Sequence, residues 1–397
     1  MDYIFSEKIK SLKPSAIREI LKYAFSQDMI AFAAGNPSPE SFPIEEIQKI
    51  SRSIFEDRDT CNTALQYGVT EGYAPLVEKT VTRLKNRFAI GKDFDSLIIT
   101  SGGQQGLDLT AKVLCNEGDV VLCENPSFIG GLNAFRSYNA RLVGIDMEDD
   151  GLSLESLENA LNKEKNIKLL YIISTFQNPT GITTSLEKRK AIYDLCLRHN
   201  VIILEDNPYG ELRFIGEEIP TIKSFDDAGI VIYCGSYSKV FSAGVRIGFL
   251  CGPQEIISKC TVAKQGEDVH TNVLCQIMLD KFIAEYDFDA HIAKVQKIYG
   301  RKCALMLEGI DKYFDSSIKA TRPEGGLFLW CTMPPGSDAT GLAKRLIERG
   351  VSMVPGIAFM SEMNDTPTFR LNYSTPSDEQ IKEGIKIIGE TIPEFLK

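Results

Sequence analysis

The chain has 397 residues, with 44 Lys and Arg against 54 Asp and Glu and a formal net charge of −10 at pH 7. That length exceeds twice the common domain size, so two or more packed units are expected; 43% hydrophobic and 25% charged residues exclude disordered, collagen-like and coiled-coil chains. The acidic balance argues against nucleic acid or an anionic membrane as partner, but leaves room for a small anion held by local basic residues.

The opening MDYIFSEKIKSLKP carries charges every few positions and does not read as a secretory signal. No run of about 18 apolar residues is found, so no membrane span is expected. The 10 cysteines form no CxxC pair and read as buried thiols in a reducing cytoplasm. With only His199, His270 and His291 available, neither a metal site nor a His-based hydrolase is expected.

In chain order, an amphipathic helix is predicted over Pro14–Phe25, with Ile17, Ile20 and Leu21 on one side. AAGNPSPESFP (Ala33–Pro43) is too rich in Gly, Pro and Asn for a helix and reads as turns. Between about Ser96 and Gly252, short apolar runs alternate with longer amphipathic stretches. The runs are Leu97–Thr100, Val120–Cys123, Arg141–Ile145, Leu169–Ile173, Val201–Leu204, Ile230–Cys234 and Ile247–Cys251. Helix-length stretches between them include Gln104–Cys115, Leu154–Lys163 and Leu186–Asn200. Strands apolar throughout and separated by helices imply a mainly parallel sheet covered on both faces. Long helices are then predicted over Gln254–Glu285 and Asp289–Phe314. Short strands at Leu327–Cys331 and Thr368–Leu371, with helices near Ala339–Arg349 and Asp378–Glu390, read as a second, smaller α/β unit.

In an open parallel sheet, ligands gather at the carboxyl ends of the strands. After the first run comes SGGQQGLDL (Ser101–Leu109), two glycines opening a helix whose free amides suit a phosphate. After the second comes Phe128, an aromatic face for a flat ligand; after the fourth comes FQNPTG, with the Asn178 amide. EDNPYG follows Val201–Leu204 and places Asp206 and Tyr209 at the same rim, where a buried carboxylate needs a cationic partner. GSYSK after Ile230–Cys234 adds Ser236, Ser238 and Lys239, and Arg246 follows seven residues later. Taken singly, each has an ordinary structural explanation. Together they suit pyridoxal 5′-phosphate, whose phosphate needs amides, hydroxyls and a guanidinium, whose ring nitrogen needs a carboxylate and whose aldehyde needs a lysine.

At this point the chain resembles the class I/II, fold-type-I pyridoxal-phosphate aminotransferases. The resemblance runs through GNPSPESFP, YGVTEGY, QNPTG, EDNPY, SYSKVFSAGVRIG, GGLFLW and FRLNYS. KPSAIRE at Lys13–Glu19 and the Gln104–Gln105 pair make it most similar to the subgroup of 2-aminoadipate, aromatic and branched-chain aminotransferases. The resemblance implies Lys239 as the Schiff-base lysine and Asp206 as partner of the ring nitrogen. It implies Asn178 and Tyr209 on the ring hydroxylate and Phe128 on the ring face, with Gly102, Gly103, Gln104, Ser236, Ser238 and Arg246 on the phosphate. Tyr67 is implied to reach the phosphate in a neighbouring subunit of a homodimer with shared active sites, and Asn272 to shape the wall on that side. Arg370 is implied to clamp the substrate α-carboxylate, with Gly35 and Asn178 beside it and Arg18 facing the substrate side chain.

The expected fold is α/β: a large cofactor domain over 40–286 with a mainly parallel seven-stranded sheet, and a small domain from 1–39 plus 287–397. The expected activity is ping-pong amine transfer between an L-amino acid and a 2-oxo acid such as 2-oxoglutarate. A carbon–sulfur lyase or decarboxylase on the same scaffold is the alternative, since the chemistry begins alike. The sensor half of a pyridoxal-dependent transcription regulator is disfavoured, because the predicted first helix starts near Pro14 and leaves no room for a DNA-binding domain. No GxGxxG follows the first strand and no GxxxxGK[ST] exists, which disfavours a dinucleotide enzyme or a nucleoside triphosphatase. AGNPSPESFP differs from the glycine- and leucine-bearing loop expected of the 2-aminoadipate branch, leaving the side-chain preference open among aromatic, branched and long acidic amino acids.

Overall fold

A computed structural model of the protein describes residues 3–6, 8–9 and 29–397, so the helix expected over Pro14–Phe25, and Arg18 within it, lie outside the described residues. Strand β1 (Ile30–Ala31) precedes three helices, α1 (Ile44–Glu56), α2 (Arg58–Leu65) and α3 (Ala74–Phe88). The alternating region follows as β2 (Asp95–Thr100), α4 (Gly103–Leu114), β3 (Val120–Asn125), α5 (Ile129–Arg136), β4 (Arg141–Glu148) and β5 (Gly151–Leu152). It continues through α6 (Leu154–Lys163), β6 (Ile167–Ile172), α7 (Leu186–Arg198), β7 (Ile202–Asn207), β8 (Val231–Ser236) and β9 (Gly248–Pro253). Helices α8 (Gln254–Gln265), α9 (Val273–Glu285) and α10 (Phe288–Tyr313) come next. The last elements are β10 (Lys319–Ala320), β11 (Phe328–Thr332), α11 (Ala339–Glu348), β12 (Val351–Ser352), β13 (Val354–Pro355), β14 (Thr368–Asn372) and α12 (Asp378–Thr391).

All seven strands expected in the large sheet form, in the order β2-β9-β8-β7-β6-β3-β4, and a two-residue eighth, β5, turns back antiparallel onto β4. The five strands from β8 to β4 are parallel, whereas β9 runs against both β2 and β8. Alternate residues of the apolar strands serve opposite faces. Leu122, Leu170 and Ile203 pack with Leu157, Leu161 and Ile192 of α6 and α7. Val121, Leu169 and Leu204 join Leu107, Leu132 and Phe135 of α4 and α5 on the other face. Burying both faces explains why these strands are apolar throughout.

The single helix expected over Gln254–Glu285 is instead two. Gly266 closes α8, and the Asn272 side chain accepts from Cys275 N at 2.9 Å to start α9, a capping pair that breaks an otherwise continuous pattern. Helices α1, α2, α3 and α5 were not expected. A second sheet, β10-β11-β14-β13, is antiparallel and sets Arg370 opposite Trp330 and Val354. Strand β1 pairs in parallel with β12, Ile30 against Val351, so the beginning of the described chain joins its C-terminal part.

The reversal of β9 positions the site. Its first residue, Gly248, pairs with Thr100 on one side and Ser236 on the other, at the carboxyl ends of β2 and β8. The start of β9 therefore lies on the edge where the other strands finish, and it brings Arg246 there. A Cβ at Gly248 would stand 2.7 Å from both Gly102 C and Gly103 N, closer than carbon can approach backbone. Gly248→Ala is therefore expected to push away the start of α4 and to cost about 1–3 kcal/mol, read as a lower midpoint in denaturant unfolding.

Candidate active site

A cavity of about 370 Å³ opens at that edge, between the large sheet and β14. Its walls include Gly35, Gly103, Gln104, Phe128, Asn178, Asp206, Tyr209, Ser236, Ser238, Lys239, Arg246 and Arg370, all singled out from the sequence. Gly102 sits just behind, in a left-handed turn at φ +82°, where a side chain would collide with the Arg246 guanidinium. Tyr67 does not join them: it is 81% exposed and stands edge-on to His270 at 5.8 Å. It lines a separate surface cavity with Asn272, whose side chain is engaged in capping α9.

The cavity holds charges that the protein leaves unpaired. Asp206 is buried near the end of β7, and the Tyr171 hydroxyl donates to its Oδ2 at 2.9 Å. Burial, only partly offset by that bond, pushes the Asp206 carboxyl up to about 7. Lys239 Nζ donates to the Gly35 carbonyl at 2.7 Å, and burial, with Arg246 and Arg370 nearby, pulls its amine down to about 8. Arg370 donates to Asn178 Oδ1 at 2.9 Å and to the Ala33 carbonyl at 2.7 Å, while its buried Nε has no partner. Its guanidinium lies 4.3 Å from the Phe328 ring centroid and 4.9 Å from that of Phe359. Arg246 reaches only neutral oxygens, those of Ser101, Ala243 and Ser238, at 3.3–3.5 Å. Among the described residues, none of these three cations meets a carboxylate. Asn178 Nδ2 donates to the Tyr209 hydroxyl at 3.3 Å, so these two polar groups stand together on one wall.

A model of the aminotransferase class I and II family matches residues 27–388. The chain belongs to that family. It is 39% identical to aromatic-amino-acid aminotransferase 1 of Thermococcus litoralis, over 100% of this chain and 96% of that protein. Among solved structures, kynurenine aminotransferase of Pyrococcus horikoshii, in complex with PMP, superposes with a TM-score of 0.95 at 38% identity, covering 99% of this chain and 98% of that one. The α-aminoadipate aminotransferase of Thermus thermophilus, complexed with N-(5′-phosphopyridoxyl)-L-leucine, gives 0.90 at 35% identity, covering 98% and 97%. This aminotransferase has the type I fold and uses pyridoxal 5′-phosphate.

The walls fit that cofactor. A buried carboxylate whose one donor is a phenol lacks the cationic N–H that would make its ionisation cheap, and a pyridinium supplies one. A helix N-terminus, two serine hydroxyls and an Arg without a carboxylate form a cradle for an anion.

Sequence reading missed several members of this aminotransferase's site. Tyr171 looked like one more apolar strand residue, yet its hydroxyl is the donor to Asp206. Glu124 follows the expected run Val120–Cys123 and has no role assigned from sequence. It is fully buried, accepts from Ile173 N at 3.0 Å and Gln177 Nε2 at 3.2 Å, and is pushed up to about 8 by burial. Phe328, within GGLFLW but given no role there, and Phe359, from a stretch with no motif, sandwich Arg370. The one signal available was a polar residue inside an apolar run.

Two outcomes follow. Competitive amine labelling of the cofactor-free protein against pH should give Lys239 a midpoint near 8, against 10.5 for an ordinary lysine. For Asp206, whose folded value is raised from 3.8 to about 7, the unfolded chain releases its proton first. Its contribution to stability is intact below pH 4 and lost as pH rises towards 7. Asp206→Asn should therefore gain stability over the parent across pH 4–7 and hold a constant gain above it, measured by thermal unfolding of cofactor-free protein.

Proposed function

We propose that the protein moves the amino group of an L-amino acid with an aromatic, branched or 2-aminoadipate-like side chain to a 2-oxo acid such as 2-oxoglutarate. Both half-reactions would use the one site in ping-pong order. The observation that carries this reading is the unpaired set Asp206, Lys239, Arg246 and Arg370 around one cavity. The relatives' aromatic, kynurenine and α-aminoadipate substrates support the side-chain range. So do Ile129, Val354, Phe328 and Phe359, which are among the apolar members of the cavity wall. Arg18, outside the described residues, is the proposed contact for a distal carboxylate.

Bound pyridoxal phosphate supplies an aldehyde for the amine and a protonated ring that draws electrons from the substrate's Cα. Arg370 binds the α-carboxylate as a planar fork, its Nε and the Nη2 now on Ala33 being the donors available. Asp206 keeps the proton on the ring nitrogen, and Tyr171 orients its carboxylate. Lys239 Nζ, partly neutral at physiological pH, removes the proton from the substrate Cα and returns one in the second half-reaction. Asn178 and Tyr209 would donate to the ring hydroxylate, and Phe128 would cover the ring face. Gly102, Gly103, Gln104, Ser236, Ser238 and Arg246 would hold the phosphate, and Gly35 would lie by the substrate.

Exposed Leu65, Tyr67, Val69 and Val269 support a homodimer in which Tyr67 serves the partner's site. In support of a cytoplasmic location, all ten cysteines are free thiols. No described helix is long and apolar enough to cross a membrane. The proposed division keeps a large domain over 40–286 and a small one from both chain ends.

Steady-state assays with 2-oxoglutarate should give phenylalanine, tyrosine, leucine and 2-aminoadipate a kcat/KM at least about tenfold above aspartate. Lys239→Ala should lower amine transfer by about 10²–10⁴-fold. Equal rates for aspartate would overturn the side-chain assignment.

A further inference from the structure

Behind the phosphate cradle, away from the cavity, lies a cluster of polar side chains that no step above uses. The ammonium of Lys264 on α8 is fully buried and donates to Gln105 Oε1 at 2.8 Å and to the two oxygens of Asp268 at 2.7 and 2.9 Å. Gln105 Nε2 closes the ring by donating to Asp268 Oδ2 at 2.9 Å. The same two acceptors also hold Ser101, the residue before the cradle. Gln105 Oε1 accepts Ser101 N at 2.8 Å, and Asp268 Oδ2 accepts the Ser101 hydroxyl at 2.7 Å. The Ser101 carbonyl in turn accepts from Arg246 Nη2 at 3.3 Å.

We propose that Gln105, Lys264 and Asp268 are positioning residues for the phosphate grip: through Ser101 they fix the peptide that aims the start of α4 and one nitrogen of Arg246. The turn they hold needs holding. Gly102 sits at φ +82° and Arg246 at φ +55°, a costly conformation for a side-chain-bearing residue. All three polar groups of Ser101, its N–H, hydroxyl and carbonyl, are engaged, so its peptide cannot rotate without breaking a bond to the cluster or to Arg246. A tie serving only to pack α8 on α4 would be complete with Lys264, Gln105 and Asp268 alone. The extra bonds to Ser101 direct the cluster at the cradle. Asp268 is held below the usual carboxylate range because bonds from Lys264, Ser101 and Gln105 outweigh its burial, so it accepts as a carboxylate at neutral pH, while burial pulls the Lys264 amine down.

The proposal rests on the reading that Gly103, Gln104, Ser236 and Arg246 hold the phosphate. The experiment measures equilibrium binding of pyridoxal 5′-phosphate, pyridoxal and inorganic phosphate to cofactor-free protein. Gln105→Leu should weaken both phosphate-bearing ligands by about three- to tenfold and leave pyridoxal unchanged. Ser101→Ala, which deletes the hydroxyl's bonds to Asp268 and Thr271 and leaves the cluster in place, should give the same selective loss to a smaller extent. Arg246→Gln tests the underlying reading: if it leaves the preference for phosphate intact, the grip itself is misassigned and the proposal falls with it. If Arg246→Gln abolishes the preference while the other two variants weaken all ligands equally, or none, the cluster is structural only and the proposal is overturned. Should Gln105→Leu fail to fold, Ser101→Ala decides on the same terms.

Discussion

The carboxylate of Asp206 is buried at the end of a central strand with, among the described residues, no basic side chain paired to it. Ionising such a group costs several kcal/mol unless a cation arrives, and the fold supplies only the Tyr171 hydroxyl. The opposite imbalance stands around it: Lys239, Arg246 and Arg370 share the cavity and, among the described residues, reach only neutral oxygens. Unpaired charge of both signs, on β7, β14 and the β8–β9 connection, is an electrostatic template for a ligand with a cationic ring nitrogen, an anionic phosphate and an α-carboxylate. Stability forgone by leaving these groups unpaired becomes binding energy when the complementary charges are brought.

Two features of the fold make that template possible. The reversed β9 places Gly248 between Thr100 and Ser236, so one strand start brings Arg246 to an edge otherwise built of strand ends. Segment 33–36 then crosses from the small sheet towards the large one. Its carbonyls engage the cations, Ala33 with Arg370 and Gly35 with Lys239, while the Asn36 carbonyl accepts from Ser374 and Thr375. The strap satisfies both cations with neutral oxygens that a carboxylate or an aldehyde can displace, so the side chains are ordered without being neutralised.

The large sheet was legible because its strands are buried on both faces, which writes unbroken apolar runs into the sequence. Residues following those runs gave the polar side of the cavity in order, since strand ends set their place. Legibility fell where contacts come from tertiary geometry. Tyr171 hides in an apolar run, and Phe359 belongs to no regular pattern. The break between α8 and α9 depends on Gly266 and Asn272, two residues inside a long apolar periodicity. Helix α2 is polar, with only Ala64 buried, and α5 carries Gly130 and Gly131, so neither shows a helical signature. Helices α1 and α3 are different: Ile50 with Ile54, and Leu76 with Leu84, have helical spacing that was present to be read.

The same burial acts on two bases in this cavity and leads them to different ends. Burial pulls the Lys239 amine to about 8, so about one molecule in ten carries it neutral at pH 7. Arg370 is equally enclosed and is pulled to about 10, which leaves only about one in a thousand neutral. The difference starts in the delocalised guanidinium, which begins two units higher, so burial that lowers both groups still leaves it charged between the Phe328 and Phe359 rings. One enclosure can therefore make a nucleophile and proton carrier of the amine while keeping the guanidinium as a permanent anchor. Exchanging the two residue types would impair both properties, because a lysine at 370 would be neutral in a sizeable fraction of molecules and lack the planar fork, and an arginine at 239 could not give up its proton.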